Sequence, residues 1–485
     1  MKDFSPYRKQ IIGIDQEFMT PGGKKRLIYA DWTASGRLYK PIEAMIADRL
    51  GPFVANPHTQ TTASGTCMTD SYHQAQQIIK KHVNANEEDV IFFAGFGMTA
   101  VINKLQRLLG LRIPEQICPK PNCRKNGKPL VVITHMEHHS NQTSWNECCC
   151  DVEIIRRAEN GLPDLGHLEE ILSANADREL LIGSFSACSN VTGIHTPYGA
   201  IAAALHRHGG YCFIDFAASA PYVKIDMHPG DPQQRLDAIF FSPHKFLGGP
   251  GSSGVMVLNK ALYHNRVPDQ PGGGTVLWTN PWGEQHYYED IETREDGGTP
   301  GFLQAIRASL AIVLKEHMGI ESILAREEEL KRLLLEKLCL HPQVEVLEAR
   351  QLNRLGIISF YSLHRHHNLI VQLLNDRFGI QSRGGCSCAG TYGHILLDVQ
   401  RERSKHITDM INHGDLSEKP GWVRLSLHPT MTGEEVTAIA QAVHTVLENY
   451  DHWRQDYIFE PKTGEFHHRS WEKPRPDLRG DFKAC

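Results

Sequence analysis

Several features that mark other classes of protein are scarce in this chain of 485 residues. No block of basic residues occurs, and 56 Asp and Glu residues outnumber 51 Lys and Arg residues, which argues against nucleic acid as the main partner. No uninterrupted apolar run approaches the ~20 residues of a membrane span. The start, M-K-D-F-S-P-Y-R-K-Q, lacks the apolar core of a signal peptide. We therefore expect a cytoplasmic protein with neither nucleic acid nor membrane as its partner.

Cysteine is also too sparse for a disulfide scaffold, since the chain has only 12. Without an export signal, these cysteines are expected to be thiols in a reducing cytoplasm. The pair Cys118 and Cys123 and the triplet Cys148–Cys150 suggest zinc only weakly. No second matching pair is present, and three adjacent cysteines cannot all ligate one metal. We predict no metal site.

Short apolar segments alternate with helical stretches over most of the chain, which is typical of a mainly parallel sheet covered on both faces. We therefore predict an α/β fold. The predicted strands of this sheet are Val90–Ala94, Leu130–Thr134, Leu180–Phe185, Tyr211–Asp215, Ala238–Ser242 and Gly254–Leu258. Predicted helices between and beside them are Thr99–Leu109, Leu165–Ala174 and Tyr198–Arg207.

The pattern changes near Pro300, where two long amphipathic helices, Gly301–Met318 and Glu321–Leu340, lead into a second α/β segment. Its strands are predicted near Gly356–Tyr361 and Trp422–Leu427. The last stretch has little periodicity and is expected to be an extended arm or tail. The predicted divisions are an N-terminal arm (1–28), a large domain (29–300), a small C-terminal domain (301–450) that can also include N-terminal residues, and the tail (451–485).

The run F-F-S-P-H-K-F-L-G-G-P-G-S-S-G, from Phe240 to Gly254, places Lys245 between an apolar strand and a glycine-rich turn. Partial desolvation lowers the pKa of a lysine and makes it a usable nucleophile for Schiff-base chemistry with an aldehyde cofactor. Ser242 and His244 beside it could hold a phosphate. The alternative is a surface lysine in a hairpin.

A second glycine-rich segment, A-G-F-G-M-T-A from Ala94 to Ala100, joins a strand to a helix. Glycines at such a junction let backbone N–H groups at a helix N-terminus approach an anion, and Thr99 adds a hydroxyl. The segment fits neither the dinucleotide pattern nor the nucleotide-triphosphate loop. It predicts a site for a phosphate that is not part of a nucleotide, or else a tight turn that needs glycine only for packing.

Asp215 ends another buried strand, where open α/β sheets place their ligand crevice. A buried carboxylate needs a cationic or hydrogen-bonding partner. A protonated pyridine nitrogen would be such a partner, and its protonation makes the ring an electron sink. A helix N-cap is the alternative role.

Three histidines, His135, His138 and His139, follow the strand that ends at Thr134. They suggest a metal site, but the spacing does not match H-E-x-x-H, and adjacent histidines point apart in an extended chain. An imidazole lying against an aromatic cofactor ring is the alternative. Asn190 follows yet another strand and could reach the same crevice.

These strand ends together resemble the fold-type I enzymes of pyridoxal 5'-phosphate (PLP), specifically the class V aminotransferase family and its cysteine desulfurase and selenocysteine lyase branch. The resemblance covers about residues 29–450. Its motifs are S-P-H-K (Ser242–Lys245), M-E-H-H (Met136–His139), Asp215, G-G-T-P (Gly297–Pro300) and R-G-G-C-S-C-A-G (Arg383–Gly390). It implies a fold-type I PLP enzyme with a large domain, a smaller C-terminal domain and a homodimeric assembly.

The resemblance also implies roles for single residues. Lys245 would carry the cofactor as a Schiff base, Asp215 would pair with the pyridine nitrogen, and His138 would stack on the ring. Cofactor binding would further involve Gly97, Met98, Thr99, Ser242 and His244 around the phosphate, Thr299 toward the phosphate of the neighbouring subunit, and Asn190 at the phenolic oxygen. Arg424, in W-V-R-L-S-L, would bind the carboxylate of an amino-acid substrate.

By the same resemblance, Cys388 falls on the cysteine of the desulfurase motif R-x-G-x-x-C-A, whose thiolate attacks the substrate sulfur and carries a persulfide. A mobile, glycine-rich loop would suit that task. Cys386 beside it is either a resolving thiol or a small packing residue, and we favour packing. For Cys388 itself, the alternative is a buried, inert thiol.

Three departures from desulfurases bear on the chemistry. Ala218 stands where a glutamine is usual, the phosphate loop reads G-F-G-M-T-A, and the polar insertion Leu397–Pro420 is longer. Such an insertion could form a lid, a partner surface or a reshaped pocket.

The predicted function is desulfuration, or deselenation, of an amino acid to alanine, with a sulfur-acceptor protein as a possible partner. Three alternatives stay open: an aminotransferase or C–S β-lyase that does not use Cys388, a sulfur-delivery or scaffold protein, and, least favoured, a metal hydrolase using His135, His138 and His139.

Overall fold

The computed structural model describes residues 2–117 and 128–483. The strands, in chain order, are β1 (Glu17–Thr20), β2 (Gly23–Arg26), β3 (Ile28–Tyr29), β4 (Asp89–Ala94), β5 (Leu130–Thr134), β6 (Asp151–Ile155), β7 (Leu181–Ser186), β8 (Tyr211–Asp215), β9 (Ala238–Phe241), β10 (Gly254–Asn259), β11 (Val276–Thr279), β12 (Gln285–Tyr287), β13 (Glu345–Val346), β14 (Ile357–Tyr361), β15 (Ile380–Gln381), β16 (Arg383–Gly385), β17 (Trp422–Ser426), β18 (Tyr457–Glu460) and β19 (Glu465–His468).

The α-helices are α1 (Ser5–Arg8), α2 (Lys40–Ala44), α3 (Ala63–His82), α4 (Met98–Leu108), α5 (His139–Asn146), α6 (Leu165–Ala174), α7 (Tyr198–Arg207), α8 (Ile291–Arg294), α9 (Phe302–Met318), α10 (Ile320–Leu338), α11 (His367–Phe378), α12 (Gly390–Leu396), α13 (Arg401–Asn412), α14 (Gly433–Glu448), α15 (Tyr450–Trp453) and α16 (Leu478–Lys483). The predicted strands of the large sheet agree with these bounds to within one residue at either end.

A seven-stranded sheet in the order β4-β10-β9-β8-β7-β5-β6 forms the centre of the molecule. Only β10 runs opposite to the others, so the predicted mainly parallel sheet is confirmed. Successive side chains of a strand point to opposite faces. Phe240 accordingly packs into one apolar layer with α4, and Phe241 packs into the other with α7 and α9. Both faces of the sheet are therefore covered by helices, as α/β folds require.

The direction of the strands decides where chemistry can occur. Because β4, β5, β7, β8 and β9 run the same way, their carboxyl ends meet at one edge of the sheet. Open α/β sheets bind ligands in the crevice outside this edge. The glycine-rich segment, the three histidines, Asp215 and Lys245 all follow these strand ends.

A second sheet, in the order β13-β14-β17-β16, is antiparallel and packs with α10, α11 and α14. Two of its parts, β17 and the loop after β16, lie at the same edge of the large sheet. Arg424 lies in β17, and β16 runs directly into the loop that carries Cys388. No helix in the described ranges 2–117 and 128–483 combines the length and apolarity needed to cross a membrane.

The end of the chain has more regular structure than the sequence predicts. β18 and β19 form a hairpin against α11, and its Tyr457 and Phe466 are buried. Rings of Phe459 and Phe466 also contact the ring of His366 at centroid distances of 5.2 Å and 5.1 Å. The prediction of an extended arm is therefore wrong for residues 457–468, because a few aromatic side chains supply the apolar contact that composition alone does not indicate.

Candidate functional site

A cavity of about 830 Å³ lies at the carboxyl edge of the large sheet. This volume is within the range of small-molecule sites. Its walls come from the ends of β4, β7, β8 and β9, from the start of α5, from the loop before α12 and from β17. We call it the main cavity.

Lys245 lies on the floor of the main cavity, in a single 3-10 turn, Pro243–Lys245, that follows β9. The turn is closely covered by backbone, since a Cβ at Gly36 would lie 1.9 Å from the carbonyl oxygen of Phe246. Burial lowers the pKa of Lys245 to about 8, although the nearby charge of Asp215 acts in the opposite direction. A lysine with such a pKa is partly neutral near physiological pH and can act as a nucleophile.

Asp215 lies opposite, at the end of β8, and is buried. Its Oδ1 accepts a hydrogen bond from the backbone N–H of Ala217 at 2.7 Å. Burial raises the pKa of Asp215 to about 7, although its hydrogen bond to Ala217 and the nearby charge of Lys245 oppose this shift. A buried carboxylate favours a positively charged ligand group, and the protonated nitrogen of a pyridine ring fits this need.

The segment before α4 forms a cradle for an anion. α4 begins at Met98 without a side-chain cap, so N–H groups of its first turn face the main cavity. The N–H of Met98 donates to Ser242 Oγ at 2.8 Å. A Cβ at Gly97 would lie 3.1 Å from that Oγ and 3.5 Å from His244 Nε2, so glycine leaves room here that another residue would fill. Thr99 Oγ1 lies 2.6 Å from Ser140 Oγ and adds a hydroxyl to the same wall.

His138 caps α5, and its Nδ1 accepts a hydrogen bond from the N–H of Ser140 at 3.1 Å. Burial, together with the positive charge of Lys245, lowers the pKa of His138 to about 3. The imidazole is therefore neutral at physiological pH. A neutral, flat ring fixed through one nitrogen can stack against an aromatic ligand.

Glu137, the neighbour of His138, is buried and fixes this turn. Its carboxylate accepts hydrogen bonds from Thr134 Oγ1 at 2.5 Å, from Asn141 Nδ2 at 2.7 Å and from Ser186 Oγ at 2.7 Å. Burial raises the pKa of Glu137, and the hydrogen bonds oppose this shift. Glu137 thereby ties the end of β5 to β7 and holds His138 in place.

Arg424 lies in β17 and is buried at the wall of the main cavity. Its Nη2 donates to Asp31 Oδ1 at 3.0 Å and its Nη1 to the carbonyl oxygen of Asn190 at 3.0 Å, but its Nε has no partner among the described residues. Asp31 also accepts from Arg383 Nε at 3.0 Å. A buried guanidinium with a free donor, held by a neighbouring carboxylate, is suited to bind an anionic group of a ligand.

Cys388 is exposed and lines the main cavity from the loop between β16 and α12. This loop is short and held in place: the carbonyl oxygen of Cys388 accepts from the N–H of His139 at 2.7 Å, and Asn190 Nδ2 donates to the carbonyl oxygen of Ser387 at 2.7 Å. Ser387 and Cys388 both have positive φ, 51° and 56°. Such a conformation is costly for residues other than glycine. The loop is thus held by hydrogen bonds in a strained conformation, and its mobility stays a prediction.

Most of the residues that the sequence singles out come together at the main cavity. Thr299 does not line it and is exposed, so its predicted contact with a neighbouring subunit stays a prediction. The residues that do line the cavity are Gly97, Met98, Thr99, His138, Asn190, Asp215, Ser242, His244, Lys245, Cys388 and Arg424.

Sequence reasoning missed Asp31 and Glu137 and gave no role to Arg383. Asp31 follows the two-residue strand β3, which periodicity cannot detect. Glu137 stands inside the M-E-H-H motif, where its position beside a buried strand was the available signal.

The histidines beside β5 serve different purposes. His135 is buried, and its ring contacts Tyr392 edge-on at 5.5 Å, while His139 Nε2 accepts from the N–H of Gly390 at 2.8 Å. Within residues 2–117 and 128–483, no three His, Cys, Asp or Glu side chains are grouped as metal ligands would be. Cys118 and Cys123 lie outside the described residues.

The family model for aminotransferase class-V matches residues 28–439, which is most of the chain. The chain belongs to the class-V aminotransferase family. This confirms the resemblance seen in the motifs, and it makes the protein an enzyme of a family that depends on PLP.

Relatives with assigned names point to one branch of the family. A probable cysteine desulfurase of Staphylococcus aureus is 27% identical over 369 residues, covering 75% of this chain and 84% of that protein. A probable cysteine desulfurase of Staphylococcus epidermidis is 28% identical over 371 residues, with the same coverage.

Solved structures of the same branch share the fold. The apo cysteine desulfurase of Thermococcus onnurineus has a TM-score of 0.72 and 23% identity, over 93% of this chain and 99% of that one. The cysteine desulfurase CsdA of Escherichia coli, in an S-sulfonic acid form, has a TM-score of 0.70 and 21% identity, over 92% and 99%. The fold-type I prediction is confirmed.

Proposed function

We propose that this class-V enzyme removes sulfur, or selenium, from an amino acid, holds it as a persulfide on Cys388 and releases alanine. The observation that carries the proposal is that one cavity contains a lysine, a buried aspartate, a buried arginine and an exposed thiol: Lys245, Asp215, Arg424 and Cys388. The names of the relatives support the same assignment.

PLP fits the groups that line the main cavity. Lys245 would hold it covalently, Asp215 would pair with its ring nitrogen, and His138 would stack on the ring. When bound, PLP supplies an electron sink that stabilises negative charge at the Cα of the substrate. The phosphate would lie in the cradle formed by Gly97, Met98, Thr99, Ser242 and His244, with Thr299 contributed by a neighbouring subunit and Asn190 near the phenolic oxygen.

The remaining residues act on the substrate. Arg424 offers its unpartnered Nε to the substrate carboxylate, and Lys245, once displaced by the substrate amine, accepts the Cα proton. The Cys388 thiolate forms a bond to the substrate sulfur as the bond between that sulfur and Cβ breaks. A proton delivered to Cβ and the return of the proton from Lys245 to Cα then complete alanine.

Substitution of the thiol tests this proposal. The Cys388→Ser variant should keep the visible absorbance of bound PLP but release no sulfide from cysteine under reducing conditions. Cys339→Ser, which changes another exposed thiol at the end of α10, is the matched control and should behave as the native enzyme. Sulfide release by Cys388→Ser at the native rate would contradict the role of Cys388. Lys245→Ala should lack the absorbance of covalently held PLP.

A second candidate function is an aminotransferase or C–S β-lyase that does not use Cys388. Two observations favour it: Ala218 lines the main cavity where a polar residue is usual, and the Cys388 loop is pinned in a short, strained turn. In that case Cys388→Ser would retain turnover, and the product with native enzyme would be pyruvate or a keto acid instead of alanine.

We further propose a homodimer and a sulfur acceptor as partners, with the action in the cytoplasm. Support for the homodimer comes from the hairpin β11–β12, which exposes Leu277, Trp278 and Trp282 by 59%, 47% and 83%. Large apolar side chains exposed together on a hairpin are typical of a surface that another chain covers. A sulfur-delivery or scaffold role for the protein predicts the same partners without turnover.

A further inference from the structure

A second cavity, of about 270 Å³, lies on the other side of the Cys388 loop; we call it the outer chamber. Cys388, Ser387 and Arg383 line both cavities, so the loop is the partition between them. Cys386 lines the outer chamber only. A sulfur atom held on Cys388 would therefore be accessible from two sides: from the main cavity, where a substrate binds, and from the outer chamber.

Two segments near the end of the chain form the roof of the outer chamber. One is the insertion Leu397–Pro420, which contributes Leu416 and Lys419, and the other is the turn of the hairpin β18–β19, which contributes Thr463 and Gly464. The two are joined by a hydrogen bond from the N–H of Leu416 to the carbonyl oxygen of Pro461 at 2.8 Å.

The roof is also tied to the wall of the chamber. Asn368 Nδ2, on α11, donates to the carbonyl oxygen of Gly464 at 2.6 Å. The class-V family match ends at residue 439, before the hairpin begins. The outer chamber is thus built in part by chain that lies beyond the matched family region.

The charge of the outer chamber favours an anion. Among the described residues that line it, two are basic, Arg383 and Lys419, and none is acidic. Arg383 is already paired with Asp31, and Lys419 has no acidic partner within the described ranges. Burial lowers the pKa of His366 and of His367, which both line the chamber. The chamber therefore combines one available positive charge with neutral imidazoles.

His366 adds a polar group that has no partner. Its Nδ1 accepts a hydrogen bond from the N–H of Asn368 at 3.2 Å, but its buried Nε2 has no partner among the described residues, and the side chain lines the outer chamber. A buried polar group without a partner costs free energy, and a bound ligand relieves that cost. Because Nδ1 accepts, the neutral ring carries its proton on Nε2, and this donor matches an anionic group of a ligand.

We propose that the outer chamber binds a small anionic thiol, which takes the sulfur from Cys388. This rests on the proposed function, because it requires a persulfide at Cys388. The acceptor enters as its thiolate, having lost its proton to solvent, and attacks the outer sulfur of the persulfide. A bond forms between the two sulfurs, and the bond from that outer sulfur to Cys388 Sγ breaks. Cys388 leaves as a thiolate, and the acceptor leaves as its own persulfide.

Discharge of the persulfide by thiols of different charge tests the proposal. Persulfidated holoenzyme is mixed with 3-mercaptopropionate or with 2-mercaptoethanol, which have similar size but differ in charge. Loss of the persulfide from the Cys388 peptide is followed by mass spectrometry, with rates corrected for the thiolate fraction. Native enzyme should react faster with the anionic thiol. Lys419→Glu should reduce that preference about two- to five-fold, the effect of one exposed charge pair.

Two matched controls separate the chamber from general effects. Lys405→Glu reverses an exposed charge on α13, in the same insertion, and should leave the preference unchanged. Thr463→Trp fills the chamber from the hairpin turn and should slow discharge by the anionic thiol, whereas Lys462→Trp, its neighbour outside the lining, should not.

Failure of this proposal can be told apart from failure of the proposed function. If cysteine does not load Cys388, the desulfurase assignment fails, and the persulfide is then installed with inorganic polysulfide so that discharge can still be measured. Equal rates for the two thiols in native enzyme would overturn the outer chamber as an anion site. So would an unchanged rate in Thr463→Trp, because the acceptor would then be entering through the main cavity.

Discussion

Asp31 holds the two arginines at the site, so its removal should have a large and measurable effect on stability. Asp31 Oδ1 accepts from Arg424 Nη2 at 3.0 Å, and Oδ2 accepts from Arg383 Nε at 3.0 Å. In Asp31→Asn the side chain keeps its volume but loses its charge. Among the described residues, Arg424 is then a buried guanidinium with neutral acceptors only, the carbonyl oxygen of Asn190 and the amide oxygen that replaces the carboxylate.

The two arginines contribute unequally to the expected loss. Arg383 is 52% exposed, so its pair with Asp31 is worth at most about 1 kcal/mol. Arg424 is 3% exposed, and removing one partner of a buried ion pair costs about 3 kcal/mol or more. An unfolding entropy of about 2 cal/mol/K per residue makes each kcal/mol worth about 1 °C of Tm in a chain of 485 residues that unfolds as one unit. We expect Asp31→Asn to lower Tm by about 3 °C.

Differential scanning calorimetry of the variants at one pH and one protein concentration checks this value. The matched control is Asp15→Asn, which removes the partner of Arg26 at the same 3.0 Å distance but at a side chain that is 82% exposed. Asp15→Asn should leave Tm unchanged, because exposed pairs contribute little. Addition of Arg424→Met to Asp31→Asn should recover part of the loss by removing the unpaired charge. A Tm for Asp31→Asn equal to that of Asp15→Asn would refute the reasoning.

Two other predictions concern the lysine and the assembly. The pKa of Lys245 is about 8, so the rate at which apoenzyme forms a covalent bond with PLP should rise with pH and reach half its maximum near pH 8. Stopped-flow absorbance measures this rate. A midpoint near the pKa of an exposed lysine would contradict the burial argument. Trp282→Asp should shift the protein from dimer toward monomer in sedimentation velocity, because it replaces an apolar side chain of the β11–β12 hairpin, 83% exposed in the single chain, by a charged one. An unchanged dimer would show that the interface lies elsewhere.

The large sheet could be predicted from the sequence because its strands are short, continuous apolar runs bounded by glycine or by polar residues. The positions of Lys245 and Asp215 at the site follow directly from these strands, since parallel strands share one carboxyl edge. β6 is not predicted because Asp151 and Glu153 are acidic and only Ile155 of its five residues is buried, as suits a strand at the edge of the sheet.

Contacts between distant parts of the chain could not be predicted. Asp31 and Arg424 are 393 positions apart, and their pairing depends on how the second sheet meets the start of the chain. The outer chamber likewise needs the insertion and the C-terminal hairpin to meet above the Cys388 loop. Periodicity describes a segment and its exposure, but it does not state which segments pack together.

The central claim is that Cys388 receives sulfur from the substrate, and peptide mass spectrometry tests it most directly. Holoenzyme is incubated with cysteine without added reductant, alkylated, digested and analysed for every cysteine-containing peptide. The account predicts one additional sulfur atom on the Cys388 peptide, together with alanine in solution. Formation of alanine with no additional sulfur at Cys388, or with the sulfur on another cysteine, would contradict it.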